Sequence, residues 1–369
     1  MTDSKKILIF TSEFPPLPGG IGNHAFNLAL YLQKRGYKVS VITDHRAKER
    51  EENEFDNRLP YKIYRIKRFS FPFLTYLKRI IFLHRLAPTY DYIIASGKFP
   101  LWIVGISPII PKRKKNVIIH GSEVNFKGLK RKITDFVLRK YGKIIAVSRF
   151  TKSLISHLNL KNIYVIPNGF TNPFPLKKVS KKEIKNPILI TVGSVSERKG
   201  QINIIKALPL LKKKYPQIFY RIVGIPFEKE KFLQKAKELN VEKHIQFYGK
   251  VDENKKYKLL LDSDIFMMLS NSTQTGDVEG FGIAILEANS VGLPAVGSKN
   301  TGIEDAILHK QTGYLVNPHD VKEISEAIES ICNNYAFYQQ NALKWAEKFS
   351  WDIIIEKYIE VIEKKYVEK

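Results

Sequence analysis

Two series of short apolar strands and helical patterns follow one another along the 369 residues of this chain. Each series opens with an apolar run, continues through a turn rich in small residues into a helix, and returns to an apolar run. The first begins near residues 5–11 and the second near residues 188–192. Such alternation is typical of a parallel sheet covered by helices, and a chain of this length can hold two of them. The sequence therefore predicts an α/β fold of two Rossmann-like domains with a cleft between them.

Turn-forming and basic residues set the expected domain boundaries. We predict a first domain over residues 1–170, a proline-containing linker over 171–187 and a second domain over 188–350. A last helical pattern runs from Trp351 to Tyr366, with Ser350 as its candidate N-cap.

One stretch in the second domain, Glu279-Gly-Phe-Gly-Ile-Ala-Ile-Leu-Glu287, combines two glycines with two carboxylates. Glycines leave backbone N–H groups accessible where a helix begins, and such a helix start is a ready site for a phosphate. We expect the helix to start near Gly280, which puts Glu287 about two turns along, roughly 10 Å away. An amphipathic helix with one exposed Glu at each end is the alternative for an isolated pattern of this kind.

Two motifs in the first domain follow predicted strands. Gly19 and Gly20 directly precede a helical pattern over residues 21–35, so their amides could approach a ligand, although a tight turn explains a Gly-Gly pair equally well. His120 follows an apolar strand, where ligands bind in doubly wound sheets. A contact with a substrate and a purely structural role are equally compatible with that position.

A turn in the second domain places two cations together, Arg198 and Lys199, after Gly193. Adjacent cations suit a leaving pyrophosphate, and a solvated pair is the alternative in so basic a chain. Asp262 and Asp264 imitate a metal-binding D-x-D motif, but they lie between a helix and a strand, so we interpret both as capping and turn residues. We expect no metal site.

Positive charge is concentrated in the first half of the chain. The net charge is +25, and residues 1–170 hold 31 Lys and Arg against 11 Asp and Glu. Residues 57–90 contain eight basic residues and no acid, interleaved with aromatic residues, and residues 73–86 have the pattern of a basic amphipathic helix. This composition suits an anionic membrane surface, and a packed helix with a solvated basic face is the alternative. It also suits nucleic acid, but no recognisable binding module accompanies it, so we expect no nucleic-acid partner.

The motifs together resemble those of family 4 of the retaining glycosyltransferases, over nearly the whole chain. The stretches that carry the resemblance are Gly19-Gly20, His120-Gly-Ser-Glu123, Val147-Ser-Arg149, Ile166-Pro-Asn-Gly169, Lys199-Gly200, Phe247-Tyr-Gly249 and Glu279 to Glu287. The resemblance implies the GT-B fold, in which the second domain binds a nucleotide-sugar, the first binds the acceptor, and the C-terminal helix (351–369) crosses back to the first domain.

The resemblance also assigns roles to residues. It implies that Glu279 contacts the donor sugar, that Lys199 neutralises the pyrophosphate, and that His120 touches the sugar from the first domain; these are the catalytic candidates. The donor-binding candidates are Gly19, Gly20, Arg198, Lys199, Gly280, Phe281, Gly282 and Glu287, the last of them on the ribose hydroxyls. The family usually has Arg after the first glycine of the phosphate turn, where this chain has Ser194, and Arg198 is the candidate substitute.

The expected function is transfer of a hexose, with retention of configuration and without a metal or other cofactor, from GDP-mannose or a UDP-hexose to a lipid-linked glycan. Such an enzyme would contribute to cell-surface polysaccharide or lipopolysaccharide synthesis. Alternatives are a soluble glucan synthase, a transferase for a small metabolite and, remotely, a non-catalytic nucleic-acid-binding protein. No segment reaches the roughly 20 apolar residues of a membrane span, and the one cysteine, Cys332, suits a reducing compartment. We expect a cytoplasmic protein, peripheral on the inner face of the membrane.

Overall fold

The computed structural model describes residues 4–172, 184–273 and 276–364. The chain divides into two compact units, one formed by residues 1–169 and 351–369 and the other by residues 170–350. Most of the predicted linker, residues 173–183, lies outside the described residues.

The first unit contains a seven-stranded parallel sheet in the order β3-β2-β1-β4-β5-β6-β7. Its strands are β1 (Lys6–Thr11), β2 (Lys38–Asp44), β3 (Lys62–Ile66), β4 (Tyr92–Ser96), β5 (Lys115–Ile119), β6 (Lys143–Ala146) and β7 (Ile163–Val165). Its helices are α1 (Gly20–Lys34), α2 (Glu49–Asp56), α3 (Pro72–Leu86), α4 (Lys98–Ile106), α5 (Gly128–Leu138) and α6 (Arg149–Ser153). The register pairs Ile7 with both Val39 and Tyr92, so β1 lies inside the sheet between β2 and β4. Residues 7–10 are fully buried because helices cover both faces of a parallel sheet.

The second unit contains a six-stranded parallel sheet in the order β10-β9-β8-β11-β12-β13. Its strands are β8 (Ile188–Val192), β9 (Phe219–Val223), β10 (Ile245–Gly249), β11 (Ile265–Met268), β12 (Ala295–Ser298) and β13 (Gly313–Val316). Its helices are α7 (Gln201–Lys214), α8 (Lys229–Glu238), α9 (Glu253–Leu261), α10 (Ile283–Asn289), α11 (Val321–Asn333) and α12 (Tyr335–Glu347). The prediction of two parallel α/β sheets is confirmed, and β13 is the strand that the sequence pattern did not indicate.

The final helix, α13 (Trp351–Glu363), belongs to the first unit although it follows the second in the chain. It packs on α1, and its apolar face, which includes Trp351, Ile355 and Tyr358, is buried. The Tyr358 hydroxyl lies 2.9 Å from Nε2 of His24 on α1. The expected return of the last helix to the first domain is therefore confirmed.

None of the helices in the described part of the chain is long and apolar enough to cross a membrane.

Candidate functional site

The strand order of each sheet reverses direction at one point, and several of the candidate residues follow the strands beside it. In the first sheet the reversal lies between β1 and β4, and in the second between β8 and β11. Loops that leave neighbouring strands in opposite directions open a crevice at the carboxyl edge, where ligands bind in this class of fold. Lys199 follows β8, Glu279 follows β11 and the glycines at 19 and 20 follow β1.

The turn of the second unit that carries Arg198 and Lys199 is shaped by one close backbone approach, at Gly200. Gly200 has φ of 73°, and a Cβ there would lie 1.7 Å from the Leu269 carbonyl oxygen. Gly193 lies under the Lys199 side chain, whose Cε would be 3.4 Å from an added Cβ. Glycine at position 200 therefore lets the turn pack against the residue that follows β11.

Glu279 joins both cations of that turn in one cluster. Its Oε2 accepts hydrogen bonds from Arg198 Nη1 at 2.6 Å and from Lys199 Nζ at 2.7 Å. The Glu279 side chain is 12% exposed. Burial opposes ionisation of this carboxyl, but the charges of Lys199 and Arg198 outweigh it and hold its pKa below the usual range. The structure thus brings together three of the predicted site residues, with Arg198 as well placed as Lys199.

Contacts with Gly302 and Phe349 hold the segment from Glu279 to Phe281 in place. The Glu279 carbonyl oxygen accepts the Gly302 N–H at 2.9 Å, and a Cβ on Gly302 would collide with the Gly280 carbonyl oxygen at 2.0 Å. The Phe281 side chain is buried, with its ring centroid 6.0 Å from that of Phe349. Gly282 has φ of +88°, a left-handed conformation that no helix continues, so α10 begins at Ile283 and not near Gly280 as expected.

Glu287 lies on α10 beside a cation that the sequence did not single out. Lys256 Nζ on α9 donates to Glu287 Oε1 at 3.1 Å, and the Glu287 side chain is 15% exposed. Burial raises the pKa of this carboxyl, and Lys256 offsets the rise only in part. Glu279 and Glu287 therefore differ: the first has a depressed pKa and the second a raised one.

In the first unit the two glycines lie at the start of α1. Gly19 is the N-cap residue, and a Cβ there would lie 2.2 Å from Glu13 Oε2, so glycine allows this carboxylate to approach the helix start. Gly20 faces open space, since an added Cβ would meet nothing within 4 Å. Their role in binding a donor stays a prediction.

His120 follows β5 and is held in a buried polar network. Its Nε2 lies 2.9 Å from Ser96 Oγ at the end of β4, and its ring packs edge-on against His24 at 5.2 Å. Burial lowers the pKa of His120 to about 4, which keeps the imidazole neutral at pH 7. Glu123 accepts a hydrogen bond from the His120 backbone N–H, and burial raises its pKa to about 7 despite that bond.

The D-x-D sequence has the structural positions that we expected. Asp262 is the C-cap of α9, and the Asp264 carboxylate accepts the backbone N–H of Ile188 at 2.8 Å. Within residues 4–172, 184–273 and 276–364, no group of three or more His, Cys, Asp or Glu is arranged to hold a metal ion.

The predicted basic amphipathic helix exists as α3, but its two faces differ from the expectation. Arg79 is buried: both its Nε and Nη2 donate to the buried Asp44 at the end of β2, and its guanidinium lies 3.7 Å from the Phe99 ring centroid. It does not belong to a solvated basic face, because Asp44 draws it toward the sheet. The opposite face is apolar and exposed, at Phe71, Phe73, Leu74, Leu77 and Ile81.

A neighbouring helix in the same unit repeats this combination. On α5 the exposed large apolar side chains are Leu129, Ile133 and Phe136, and Lys127, Lys130 and Lys132 lie beside them in the sequence. The sequence analysis missed this surface because the segment contains Asp135 and only one aromatic residue, so it did not stand out as 57–90 does.

Family models match nearly the whole chain in two consecutive parts. Residues 18–171 match the model described as Glycosyltransferase Family 4, and residues 172–348 match the model described as Glycosyl transferases group 1. The chain belongs to glycosyltransferase family 4. Its two parallel sheets are the two Rossmann-like domains of the GT-B fold, and each family model corresponds closely to one unit of the structure.

Among curated proteins, the chain is 25% identical to a GDP-mannose-dependent alpha-(1-6)-phosphatidylinositol monomannoside mannosyltransferase of Mycolicibacterium smegmatis, covering 87% of this chain and 88% of the relative. It is 27% identical to an uncharacterized glycosyltransferase of Haemophilus influenzae, covering 93% and 94%. Among solved structures, it resembles Anabaena HepE in complex with UDP-glucose, with a TM-score of 0.75 and 20% identity over 98% of this chain and all of that one. This family 4 enzyme is thus similar to curated glycosyltransferases, one of them GDP-mannose-dependent, over most of its length, and it shares the fold of HepE.

Proposed function

We propose that this glycosyltransferase moves a hexose from a nucleotide diphosphate sugar to a lipid-linked glycan, with retention of configuration and without a metal ion. The observation that carries the proposal is the cluster in which Arg198 and Lys199 both donate to Glu279 at the crevice of the second sheet. It offers two cations for a departing pyrophosphate and one carboxylate for the sugar beside it. The named mannosyltransferase relative uses GDP-mannose, and HepE was solved with UDP-glucose, so both donor classes enter the proposal.

The residues divide the work as follows. Lys199 and Arg198 stabilise the negative charge that develops on the leaving phosphate, in place of a metal ion. Glu279 orients the sugar and stabilises positive charge at the anomeric carbon, and Glu287 binds the ribose hydroxyls. The amides of residues 280–282, together with Gly19 and Gly20, are the remaining donor contacts that we propose.

His120 contacts the transferred sugar in this proposal. Its pKa of about 4 means that it acts as a neutral hydrogen-bonding group at pH 7 and not as a cation. The bond between Ser96 Oγ and Nε2 fixes the orientation of the ring.

A thermal-shift screen with UDP, GDP and ADP and their sugars tests the donor. A ligand that binds only the folded chain raises its apparent stability with concentration. We expect one base to stabilise the wild type and to stabilise Glu287→Gln much less, because the ribose contact is lost. A chain that none of these nucleotides stabilises would contradict the proposal.

The anomeric configuration of the product, read by NMR, tests retention, and transfer in the presence of EDTA tests independence from metals. We expect the product to keep the configuration of the donor and the rate to be unchanged by EDTA. An inverted product would exclude the proposed mechanism, and loss of activity restored by a divalent cation would exclude the metal-free step.

The exposed face of α3 supports a membrane-bound acceptor and a peripheral location on the cytoplasmic face. The exposed apolar side chains lie on the same helix as the half-buried Lys78 and the exposed Arg85. Apolar side chains suit the acyl region, and a cation near an anionic surface contributes about 1 kcal/mol. We expect co-sedimentation with anionic vesicles at low salt and its loss in Phe73→Ser/Leu77→Ser, with Phe227→Ser, an equally exposed phenylalanine of the second unit, as control. No sedimentation of the wild type would favour a soluble acceptor, as in a glucan synthase or a small-metabolite transferase.

A further inference from the structure

A cavity of about 510 Å³ opens at the carboxyl edge of the first sheet, against the inner face of α3. Among the described residues that line it, four carry positive charge and one is acidic; they are Arg46, Arg68, Arg79, Lys98 and Glu13. The expected roles of the chain's motifs do not account for this concentration of cations.

The cavity's cations are only partly neutralised. Arg68 Nε donates to Asp44 at 2.9 Å, but Asp44 already binds Arg79, so one buried carboxylate serves two guanidinium groups. The Arg68 side chain remains 53% exposed. Its outer end can therefore bind a further anion.

The side chain of Arg46 has a buried N–H group without a hydrogen-bond partner in the described part of the chain. Its Nη1 is buried and has no hydrogen-bond partner among the described residues. The nearest carboxylate oxygen, Glu13 Oε2, is 3.7 Å away, which is beyond hydrogen-bond distance. A buried N–H group without a partner is costly, and an anionic oxygen in the cavity would satisfy it.

We propose that this cavity binds the phosphate group that joins the acceptor glycan to its lipid. Guanidinium groups present parallel N–H donors that match phosphate oxygens. The positive charges of Arg46, Arg68 and Lys98 suit the negative charge of a phosphate, whereas a neutral sugar would not require them. The same helix that lines the cavity with Thr75, Tyr76 and Arg79 exposes Phe73, Leu77 and Ile81 on its other face. A phosphate in the cavity would thus lie one helix width from the surface assigned to the membrane.

This inference rests on the proposed function, since it specifies where that acceptor binds. Hexyl phosphate, a soluble alkyl phosphate, is a suitable probe, and its ³¹P NMR signal reports binding. The measurement uses full-length Lys199→Ala, because loss of this cation weakens phosphate binding at the turn of the second unit, which would otherwise compete for the probe. We expect Arg46→Gln and Arg68→Gln each to weaken binding by roughly tenfold, as expected for loss of one charge-assisted hydrogen bond.

Arg58→Gln is the matched control, because Arg58 is an exposed arginine of the same basic segment that does not line the cavity. We expect its affinity to stay within about twofold of the parent chain. Equal affinity of the parent chain, Arg46→Gln and Arg68→Gln would overturn the proposal. Inorganic phosphate binding as tightly as hexyl phosphate would overturn the lipid assignment and favour a soluble phosphorylated acceptor.

Stabilisation by nucleotides, measured on the same Arg variants with Lys199 intact, separates the two proposals. Loss of hexyl phosphate binding with nucleotide stabilisation preserved supports the cavity assignment. A wild-type chain that no nucleotide stabilises contradicts the proposed function instead, whatever the cavity binds.

Discussion

Glu279→Gln should make the chain bind nucleotide diphosphate more tightly while it loses transfer activity. In the structure the carboxylate accepts from both Arg198 and Lys199, the same donors that a pyrophosphate would need. A bound nucleotide must therefore compete with Glu279 for those N–H groups. Replacing the carboxylate by a neutral amide removes the competitor and keeps the size of the side chain.

The magnitude follows from the two contacts. Hydrogen bonds to charged groups contribute about 1.5–3 kcal/mol each, and partial exposure of Arg198, at 30%, and of Lys199, at 14%, reduces this. The gain in binding free energy is only the difference between the contacts that the phosphate makes with the freed cations in the variant and those that it makes with the same cations in the wild type. We expect a net gain of about 1–2 kcal/mol, which is roughly five- to thirtyfold in affinity.

Isothermal titration with whichever of UDP, GDP and ADP stabilises the wild type measures this directly. Glu238→Gln, which changes the net charge equally at an exposed site of the same unit, controls for the overall field. Transfer by Glu279→Gln should fall by about a hundredfold or more, as for loss of a charge-stabilising group. Weaker or unchanged nucleotide binding would refute the competition argument, and undiminished transfer would refute the role of Glu279 at the sugar.

Three further predictions concern buried charges. Burial holds the pKa of His120 at about 4, so the folded chain loses about 3 kcal/mol of stability as pH falls from 6.5 to 4. Burial raises the pKa of Glu123 to about 7, so the folded chain loses a similar amount of stability as pH rises from 4.5 to 7. Glu123→Gln should therefore lose more stability than the wild type as pH falls in urea unfolding, and His120→Gln should lose less; the buried His24, whose pKa burial also lowers, keeps acid sensitivity in both variants. Identical pH profiles for the two variants would contradict both pKa assignments. Lys256→Met should raise the pKa of Glu287 further, so that the loss of nucleotide affinity on acidification begins at a higher pH than in the wild type, and equal midpoints in titrations would count against the pair. Asp44→Asn should lower the free energy of unfolding by about 3–5 kcal/mol because it leaves Arg79 buried beside a neutral group, whereas Asp352→Asn, at an exposed pair on α13, should cost under about 1 kcal/mol in the same assay.

The sequence was sufficient for the fold because apolar runs and helical spacing are local signals. Strands such as β1, β2 and β8 are continuous apolar runs between turn residues, so their positions could be predicted within one or two residues. Strand β13 was missed because only three apolar residues, Tyr314 to Val316, lie between turn residues there, and its pairing with β12 is a contact of the fold and not a local signal.

The helix start in the second unit shows where a local pattern is insufficient. Two glycines before an apolar run indicate a helix, but they do not indicate which of them adopts the left-handed conformation. In the structure Gly282 adopts it, whereas Gly280 packs against Gly302, a contact between residues 22 positions apart that no local pattern indicates. The helix consequently begins three residues later than expected.

Charge pairing between distant residues could not be predicted at all. Lys256 and Glu287 are 31 positions apart, and Asp44 and Arg79 are 35 apart, so neither pair has a helical or strand spacing. In a chain with 61 basic residues, nothing in the sequence distinguishes the few lysines and arginines that are buried. The tertiary fold selects them.

Asp44 has a consequence for how such an enzyme can diversify. Because its carboxylate holds Arg79, the rotation of α3 about its own axis is fixed from inside, by a residue at the end of β2. Phe73, Leu77 and Ile81 are exposed apolar side chains and form no such ion pair with the sheet. Substitutions along that outer row can therefore change what the helix adheres to while its inner row, and the cavity behind it, stay in register.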